Sequence, residues 1–420
     1  MPYGYNGKIL RVNLTSGTVT VEEPGEIVYR TYLGGGGLAS YYLLRELKPG
    51  IDPLSADNIL IFASSVISGA PIAGMVRYTV AAKSPLTGAY GEAEAGGFWG
   101  PELKFSGFDA VIIEGKAEKP CYLWINDGKV EIRSAEKIWG LETGPAQQMI
   151  RDELEEKRAR VALIGPAGEN LVRYACVVNE LKHANGRTGM GAVMGSKNLK
   201  AVAVRGTNKM EIHDPEKFRE LSRNLTELIG RHGPSKVYRK LGTPQFVMPL
   251  NTQGILPTHN FRTGFFEGAE KISGERMTET ILKREEGCYA CSVRCKRVVE
   301  VSSGPYATSG NYGGPEYETL SSLGSLLCID DLAAIAKGHE LCNRYTLDTI
   351  STGVAIGYAM ECYEKGILTQ ADTEGIAFTF GNPDAMLKGI EWIAFRKPGL
   401  GNLLADGVKA AAARIGKGSE

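Results

Sequence analysis

The feature that most constrains this chain is a run of three cysteines, Cys288, Cys291 and Cys295, with the spacing Cys-x2-Cys-x3-Cys. Three thiolates so close in sequence can close on one small inorganic centre, because iron–sulfur clusters and zinc both accept soft sulfur ligands in tetrahedral arrangements. The run supplies three ligands, so a fourth has to come from a distant residue. A structural zinc knuckle completed by a distant Cys or His is the alternative interpretation.

Basic residues lie beside the last of these cysteines. Arg294, Lys296 and Arg297 bring positive charge that offsets the negative charge of a thiolate-bound cluster. The order of the cysteines also differs from the Cys-x3-Cys-x2-Cys of radical enzymes that cleave S-adenosylmethionine. We therefore interpret the run as ligands of a cluster that carries electrons.

Length and charge narrow the class of protein. A chain of 420 residues is too long for one compact core and predicts two or three domains. Its 48 basic and 48 acidic side chains cancel, which argues against nucleic acid or an anionic membrane as partner. The N-terminus lacks the pattern of a signal peptide, and the longest apolar run, residues 59–67, is too short to span a membrane. Eight cysteines, three of them clustered, favour metal ligation in a reducing cytoplasm over disulfides.

The first 207 residues read as strands joined by glycine-rich turns. Alternating residues predict two hairpins, 8–14 with 18–22 and 121–125 with 129–132, the second around the tight-turn pair Asp127-Gly128. Helical spacing appears at 38–47 and 145–156. The chain beyond is mostly helical in pattern, with helices predicted at 215–231, 330–345, 352–365 and 400–415.

These patterns predict an α+β protein in two domains. A β-rich domain covers residues 1–210, and a mostly helical domain that carries the cysteine run covers residues 211–420.

Glycines cluster in three loops, at 34–37, 96–100 and 186–195. Loops without Cβ atoms let backbone N–H groups approach a phosphate or a flat heterocycle, and Arg77 and Arg187 are available as phosphate partners. Tight turns in a twisted sheet are the alternative. The third loop precedes a strand, so the strand–turn–helix context of a dinucleotide fold is missing. We interpret the three loops together as the site of a large phosphorylated cofactor.

A Gly/Pro-rich loop carries the sequence Glu316-Tyr317-Glu318. Two carboxylates beside a tyrosine can supply a general base and an orienting hydroxyl, although such loops are also common as solvated surface. The five histidines are scattered, with no two at zinc-ligand spacing.

Eight segments, quoted in order along the chain, carry a resemblance to the tungsten-containing aldehyde:ferredoxin oxidoreductases. They are Asn6-Gly-Lys-Ile-Leu-Arg-Val-Asn-Leu-Thr, Lys83-Ser-Pro-Leu-Thr-Gly88, Gly96-Gly-Phe-Trp-Gly100, Ile164-Gly-Pro-Ala-Gly-Glu-Asn170, Gly191-Ala-Val-Met-Gly-Ser-Lys-Asn-Leu-Lys200, the cysteine run, Gly314-Pro-Glu-Tyr-Glu318 and Leu347-Asp-Thr-Ile350.

The resemblance implies a first domain of two β-sheets that clamps a bis-pterin tungsten cofactor (or its molybdenum counterpart), followed by helical domains. The positions that fall where the family holds the pterin phosphates and their bridging magnesium are Arg77, Glu94, Gly96, His183, Ala184, Gly186 and Arg187. Those on the family's first helical-domain pterin motif are Asn343, Leu347 and Asp348. The three cysteines fall on three of the four ligands of a 4Fe-4S cluster, and Tyr317 and Glu318 fall at the substrate pocket.

Several positions depart from the family pattern. Glu94 stands where asparagine is frequent, His183 where arginine is usual, Asn343 in place of aspartate and Thr346 in place of glycine. Lys337 and Glu340 replace a Glu-x-x-His that binds a metal between subunits in some members, so we expect no such metal. The family continues into a third domain with the fourth cysteine, so we expect Cys328, Cys342 and Cys362 to lie apart from the run.

The resemblance implies a cytoplasmic, anaerobic enzyme that oxidises a small aldehyde with water to a carboxylic acid. Electrons would pass through the cluster to ferredoxin or an electron-transfer subunit. In this scheme Glu318 is the base, which requires its desolvation to work near neutral pH, and Tyr317 polarises the carbonyl oxygen. Two alternatives remain: a related tungsten enzyme such as a low-potential reductase of aromatic thioesters, or a truncated cofactor-binding fragment or subunit without activity alone. A homodimer or a separate third-domain chain is the candidate partner.

Overall fold

The structure is a computed structural model that describes residues 3–420, and the chain divides into two compact units. The first unit ends its main segment at Leu171 and also contains 175–230 and 287–292. The second contains 172–174, 231–286 and 293–420. The division therefore differs from the expected one after residue 210. Cys288 and Cys291 belong to the first unit, whereas Cys295 belongs to the helical second unit.

Two mixed sheets form the frame of the first unit. One has the strand order β2-β1-β6-β3-β4-β5, and the other has the order β11-β10-β9-β12-β7-β8. The strands are β1 (Ile9–Asn13), β2 (Thr18–Glu22), β3 (Leu60–Ser64), β4 (Tyr78–Lys83), β5 (Tyr90–Ala95), β6 (Ala110–Glu114), β7 (Cys121–Asn126), β8 (Lys129–Ser134), β9 (Arg160–Leu163), β10 (Val177–Asn179), β11 (His183–Asn185) and β12 (Leu199–Arg205). Both predicted hairpins are confirmed, as β1–β2 and β7–β8.

The strand residues alternate between two cores. Leu60 and Phe62 of β3 face a core shared by the two sheets, whereas Ile61 and Ala63 face the helix on the outer side. The first unit's helices are α1 (Glu26–Tyr32), α2 (Gly35–Glu46), α3 (Trp99–Phe105), α4 (Thr143–Glu153), α5 (Pro166–Glu169), α6 (Met190–Ser196) and α7 (Pro215–Arg231). Residues of α2 and α4 cover the outer faces, and residues of α3 and α6 enter the shared core.

The second unit is mostly helical, so the predicted α+β class is confirmed. It also contains the hairpin β13 (Leu282–Glu286) and β14 (Lys296–Val299), and short 3-10 turns at 243–246, 269–272 and 325–327. Its helices are α8 (Gly233–Leu241), α9 (Val247–Thr252), α10 (Gly274–Thr280), α11 (Tyr317–Leu323), α12 (Leu332–Tyr345), α13 (Thr349–Glu364), α14 (Pro383–Ala394), α15 (Leu400–Leu404) and α16 (Val408–Ile415).

The helix predicted at 400–415 is in fact two helices, α15 and α16. Gly407, the residue just before α16, separates the two helices. Its φ of +89° is a conformation that L side chains rarely adopt. The apolar spacing continues across the break, which is why periodicity alone joined the two segments.

None of the helices within residues 3–420 has the length and apolar character needed to cross a lipid bilayer.

A buried ion pair joins α3 to Asp109, the residue directly before β6 of the first sheet. Lys104 Nζ lies 2.5 Å from Asp109 Oδ1, and both side chains are almost fully buried. Asp109 also accepts hydrogen bonds from the backbone N–H of Asn6 and Gly7. Burial lowers the pKa of Lys104, against the opposing effect of Asp109. Each charge therefore depends on the other to remain in the interior.

We predict that Asp109→Ala lowers the free energy of unfolding by about 3–5 kcal/mol, because it leaves the Lys104 ammonium buried without its carboxylate. Chemical denaturation measures the change. Glu136→Ala is the matched control, since its pair with Lys119 is exposed and is expected to cost less than about 1 kcal/mol. A loss from Asp109→Ala no larger than that of the control would contradict the prediction.

Candidate cofactor and cluster site

The two sheets of the first unit approach each other at their edge strands, β5 and β11. The Asn185 side-chain amide donates a hydrogen bond of 2.9 Å to the carbonyl of Ala93, and the Thr188 hydroxyl donates one of 3.1 Å to the carbonyl of Glu92. These bonds join residues almost one hundred positions apart in sequence. The glycine loop after β11 therefore lies beside the start of β5, whereas the glycine loop after β5 lies beside the turn that leads into β11.

Most first-domain residues expected to hold a cofactor lie around this edge. Arg77 directly precedes β4, and its guanidinium lies 3.8 Å from the Glu94 carboxylate on β5. The Arg77 side chain is more than half exposed, and the Glu94 side chain is half exposed. The remaining candidates lie at the end of β5, within β11 or directly after it: Gly96, His183, Ala184, Gly186 and Arg187. The edge thus carries two exposed arginines, Arg77 beside the Gly96 end of β5 and Arg187 directly after β11.

Gly96 and Gly97 allow a close approach that no other residue permits. A Cβ atom on Gly96 would lie 2.8 Å from Cys288 Sγ. A Cβ on Gly97 would lie 2.4 Å from Asn179 Oδ1 and 2.5 Å from Glu180 Oε2, and Gly97 also has φ of +95°. The cysteine sulfur therefore packs directly onto the backbone of the glycine loop.

The first half of the cysteine run is docked on that loop by its backbone. Tyr289 N–H donates to the carbonyl oxygen of Gly97 at 3.2 Å, and Cys291 N–H donates to the carbonyl of Cys288 at 3.1 Å. The Tyr289 ring contacts the Phe105 ring edge-on, with centroids 5.7 Å apart. Cys288 and Cys291 are half-buried and reduced. The thiols are accessible enough to ligate a metal while their backbone is fixed.

The basic residues after Cys295 are engaged in the second unit. The Arg297 guanidinium is fully buried and donates to the carbonyls of Lys240, Arg239 and Arg294. Lys296 Nζ lies 3.0 Å from Glu316 Oε1. The charges expected to offset a thiolate centre are therefore largely committed to protein partners, and Arg297 fixes the second half of the loop.

Within residues 3–420, no group of three His, Cys, Asp or Glu side chains is gathered closely enough to hold a metal ion. The three cysteines are therefore a candidate ligand set by their spacing and by the loop that carries them, and not by a gathering of their side chains. Burial raises the thiol pKa of Cys328, Cys342 and Cys362 and keeps these thiols neutral.

The two carboxylates of the Glu316-Tyr317-Glu318 segment have different surroundings. Glu316 accepts hydrogen bonds from Lys296 and from the Thr243 hydroxyl. Burial alone would raise the Glu316 pKa, but the charge of Lys296 and these hydrogen bonds outweigh burial and lower it. Glu318, in the first turn of α11, is exposed. The desolvation expected of Glu318 is therefore not provided by the described part of the chain. Burial raises the pKa of the neighbouring Tyr317.

The candidate pterin residues of the second unit lie at the junction of α12 and α13. The Asn343 amide donates 2.9 Å to the carbonyl of Tyr312, and Leu347 is buried. The Asp348 carboxylate caps α13 by accepting from the N–H groups of Ile350 and Ser351. Thr346 ends α12 with φ of +65°, a left-handed conformation that favours glycine.

Sequence reasoning missed two polar residues at the centre of the site, Asn179 and Glu180. The Asn179 amide donates to the Tyr78 hydroxyl and to the carbonyl of Gly96, and Glu180 Oε2 accepts from the N–H of Phe98. The available signal was a polar pair directly after the apolar strand residues 177–178.

Comparison with known proteins places these features in a family. Residues 9–206 match the family model "Aldehyde ferredoxin oxidoreductase, N-terminal domain", and residues 220–420 match "Aldehyde ferredoxin oxidoreductase, domains 2 & 3". A tungsten-containing aldehyde ferredoxin oxidoreductase of Pyrococcus horikoshii is 45% identical over 96% of this chain and 66% of its own length. The chain thus spans slightly less than two thirds of that relative.

Two further proteins match over a similar share of the chain, at lower sequence identity. The aliphatic sulfonate oxidoreductase, WOR-like subunit, of Pyrococcus furiosus is 33% identical over 98% of this chain and 68% of its own length. The active-site complex BamBC of benzoyl coenzyme A reductase, solved with 1,5-dienoyl-CoA, has a TM-score of 0.88 and 31% identity, covering 100% of this chain and 64% of its own. The matches run through both units from the first sheet to the last helix, and the chain belongs to the aldehyde ferredoxin oxidoreductase family.

Proposed function

We propose that the protein oxidises a small aldehyde with water to a carboxylic acid at a bis-pterin tungsten centre and passes the electrons through a 4Fe-4S cluster to ferredoxin. The reaction converts RCHO and water into RCOOH, two protons and two electrons. The observation that carries the proposal is the 45% identity to the tungsten-containing aldehyde enzyme over 96% of this chain, against 33% for the sulfonate relative.

The residues at the β5–β11 edge fit a pterin cofactor with phosphate groups. Arg77 and Arg187 are exposed cations suited to phosphate. Gly186, after β11, has no atom within 4 Å of the position of an added Cβ, which leaves its backbone open to a flat ring. Glu94 brings a carboxylate beside Arg77, and this carboxylate would be an oxygen ligand for the proposed magnesium ion. In the second unit the proposed pterin contacts are Asn343, Leu347 and Asp348.

The cysteine loop fits a cluster by the chemistry of its donors. Cys288, Cys291 and Cys295 are soft ligands, and the first two lie on a backbone fixed against the pterin candidates. That proximity suits the transfer of single electrons from the pterin to the cluster. We propose ferredoxin, or a subunit that serves the same purpose, as the acceptor beyond it.

The tungsten centre would supply the two-electron acceptor, and the protein would supply binding and proton transfer. We propose that Glu318 takes the proton from water or the aldehyde hydrate and that the Tyr317 hydroxyl donates a hydrogen bond to the carbonyl oxygen. Glu316 is unsuited to the base role because Lys296 and Thr243 occupy its oxygens. It instead fixes Tyr317, whose N–H donates to the same Thr243 hydroxyl at 2.9 Å.

Reduction of an aromatic thioester is the second candidate, favoured by the TM-score of 0.88 to the benzoyl coenzyme A reductase complex. The test uses anaerobically purified protein and a low-potential viologen dye. Aldehyde-dependent dye reduction supports the first function. Dye oxidation that depends on an aromatic thioester, with no aldehyde activity, would replace it by the second.

We predict that Glu318→Gln lowers kcat for aldehyde oxidation by about two to four orders of magnitude, because glutamine keeps the shape but cannot accept the proton. Tungsten and iron contents should stay at the wild-type level. Glu391→Gln, an exposed glutamate on α14, is the matched control and should keep full activity. A Glu318→Gln enzyme with more than about a tenth of the wild-type rate would exclude Glu318 as the base.

We predict that Gly96→Ala weakens retention of the cluster, because the new methyl group would occupy the space of Cys288 Sγ. Iron release to a chelator, followed by absorbance, should be faster in this variant. Gly25→Ala is the control, since a Cβ on Gly25 meets nothing within 4 Å. Equal release rates in the two variants would show that the contact does not position the sulfur.

A further inference from the structure

Glu180 occupies an unusual position for a carboxylate. It stands in the turn between β10 and β11 with φ of +47°, directly after Asn179, whose amide donates to the carbonyl of Gly96 at 3.3 Å. Glu180 Oε2 accepts a 3.1 Å hydrogen bond from Phe98 N–H. Its other oxygen, Oε1, is buried and has no hydrogen-bond partner among residues 3–420.

The site makes the charged carboxylate costly. Burial raises the pKa of Glu180 to about 7, and the nearby guanidinium of Arg160 opposes the rise. Arg160 itself lies over the Phe98 ring, 4.6 Å from the centroid. A buried acid that keeps one oxygen unbonded contributes little to stability, and the hydrogen bond from Phe98 N–H is the contact through which its other oxygen can act.

That bond continues through one peptide group into the cysteine loop. Phe98 N–H and Gly97 C=O belong to the same peptide unit. Its N–H is bonded to Glu180, and its C=O accepts from Tyr289 N–H at 3.2 Å. A carboxylate at one end of a peptide polarises the carbonyl at the other and strengthens the second bond. Tyr289 directly follows Cys288, whose Sγ packs on Gly96.

We propose that Glu180 is a positioning residue for the Cys288 thiol, acting through the Gly97–Phe98 peptide that its carboxylate orients. Loss of the carboxylate frees the peptide to rotate, and the Tyr289 N–H loses its fixed acceptor. The first cysteine of the run then moves away from the glycine loop. That Cys288 is a cluster ligand rests on the proposed function, whereas the positioning itself does not.

The simplest competing role for Glu180 is to satisfy the start of α3, since Phe98 directly precedes that helix. That role would affect the stability of α3 and leave the thiol unchanged. The reactivity of Cys288 therefore separates the two roles.

The experiment measures alkylation of Cys288 by N-ethylmaleimide in the full chain, reduced and freed of metal, with each cysteine followed by peptide mass spectrometry. Glu180→Leu should speed alkylation of Cys288 roughly fivefold, the effect of one ordinary hydrogen bond on a local opening equilibrium. Glu180→Gln keeps an acceptor for Phe98 N–H and should stay within about twofold of wild type. Cys121, buried in β7, is the internal control, and Glu136→Leu is the matched surface variant.

Unchanged Cys288 reactivity in Glu180→Leu would overturn the proposal, and so would a Glu180→Gln chain as reactive as Glu180→Leu. A second arm measures iron release from the loaded protein, which should be faster in Glu180→Leu and restored in Glu180→Gln. If the wild-type protein binds no iron, the proposed cluster fails, while the alkylation arm still decides whether Glu180 positions the thiol.

Discussion

The burial of Trp99 between the two sheets fixes the geometry on which the rest of the site depends. Its ring is fully buried against Tyr78 and Phe62, and its indole N–H donates to the carbonyl of Val202 in the opposite sheet. Because Trp99 begins α3 directly after Gly96-Gly97-Phe98, its position determines where the glycine loop stands. The loop in turn provides the surface on which Cys288 and Tyr289 dock.

The same loop brings two kinds of chemistry together. On one side are the exposed cations and the open backbone of the β5–β11 edge, which suit a phosphorylated cofactor. On the other is a thiol that packs on Gly96 with no intervening side chain. The proposed transfer of single electrons from an organic cofactor to a cluster needs the two groups close and rigidly held. A glycine loop anchored by a tryptophan would hold the cysteine side of that pair.

Much of the frame could be predicted from the sequence because local patterns determine it. Alternation and the Asp127-Gly128 turn predicted the β7–β8 hairpin, and an Asp followed by Pro predicted the start of α7. Three features could not be predicted. The exposure of Glu318 depends on what covers α11, and the contact of Glu180 with Phe98 joins residues 82 positions apart. No periodicity or spacing records such tertiary placement, and the Gly407 break in the last helix was likewise hidden beneath a continuing apolar pattern.

The central claim is that the cysteine loop and the β5–β11 edge serve one redox unit. Elemental analysis of the anaerobically purified protein tests it most directly. We expect iron with acid-labile sulfide in the proportions of one 4Fe-4S cluster, together with tungsten or molybdenum, in each molecule. One equivalent of zinc, with neither sulfide nor tungsten nor molybdenum, would contradict it.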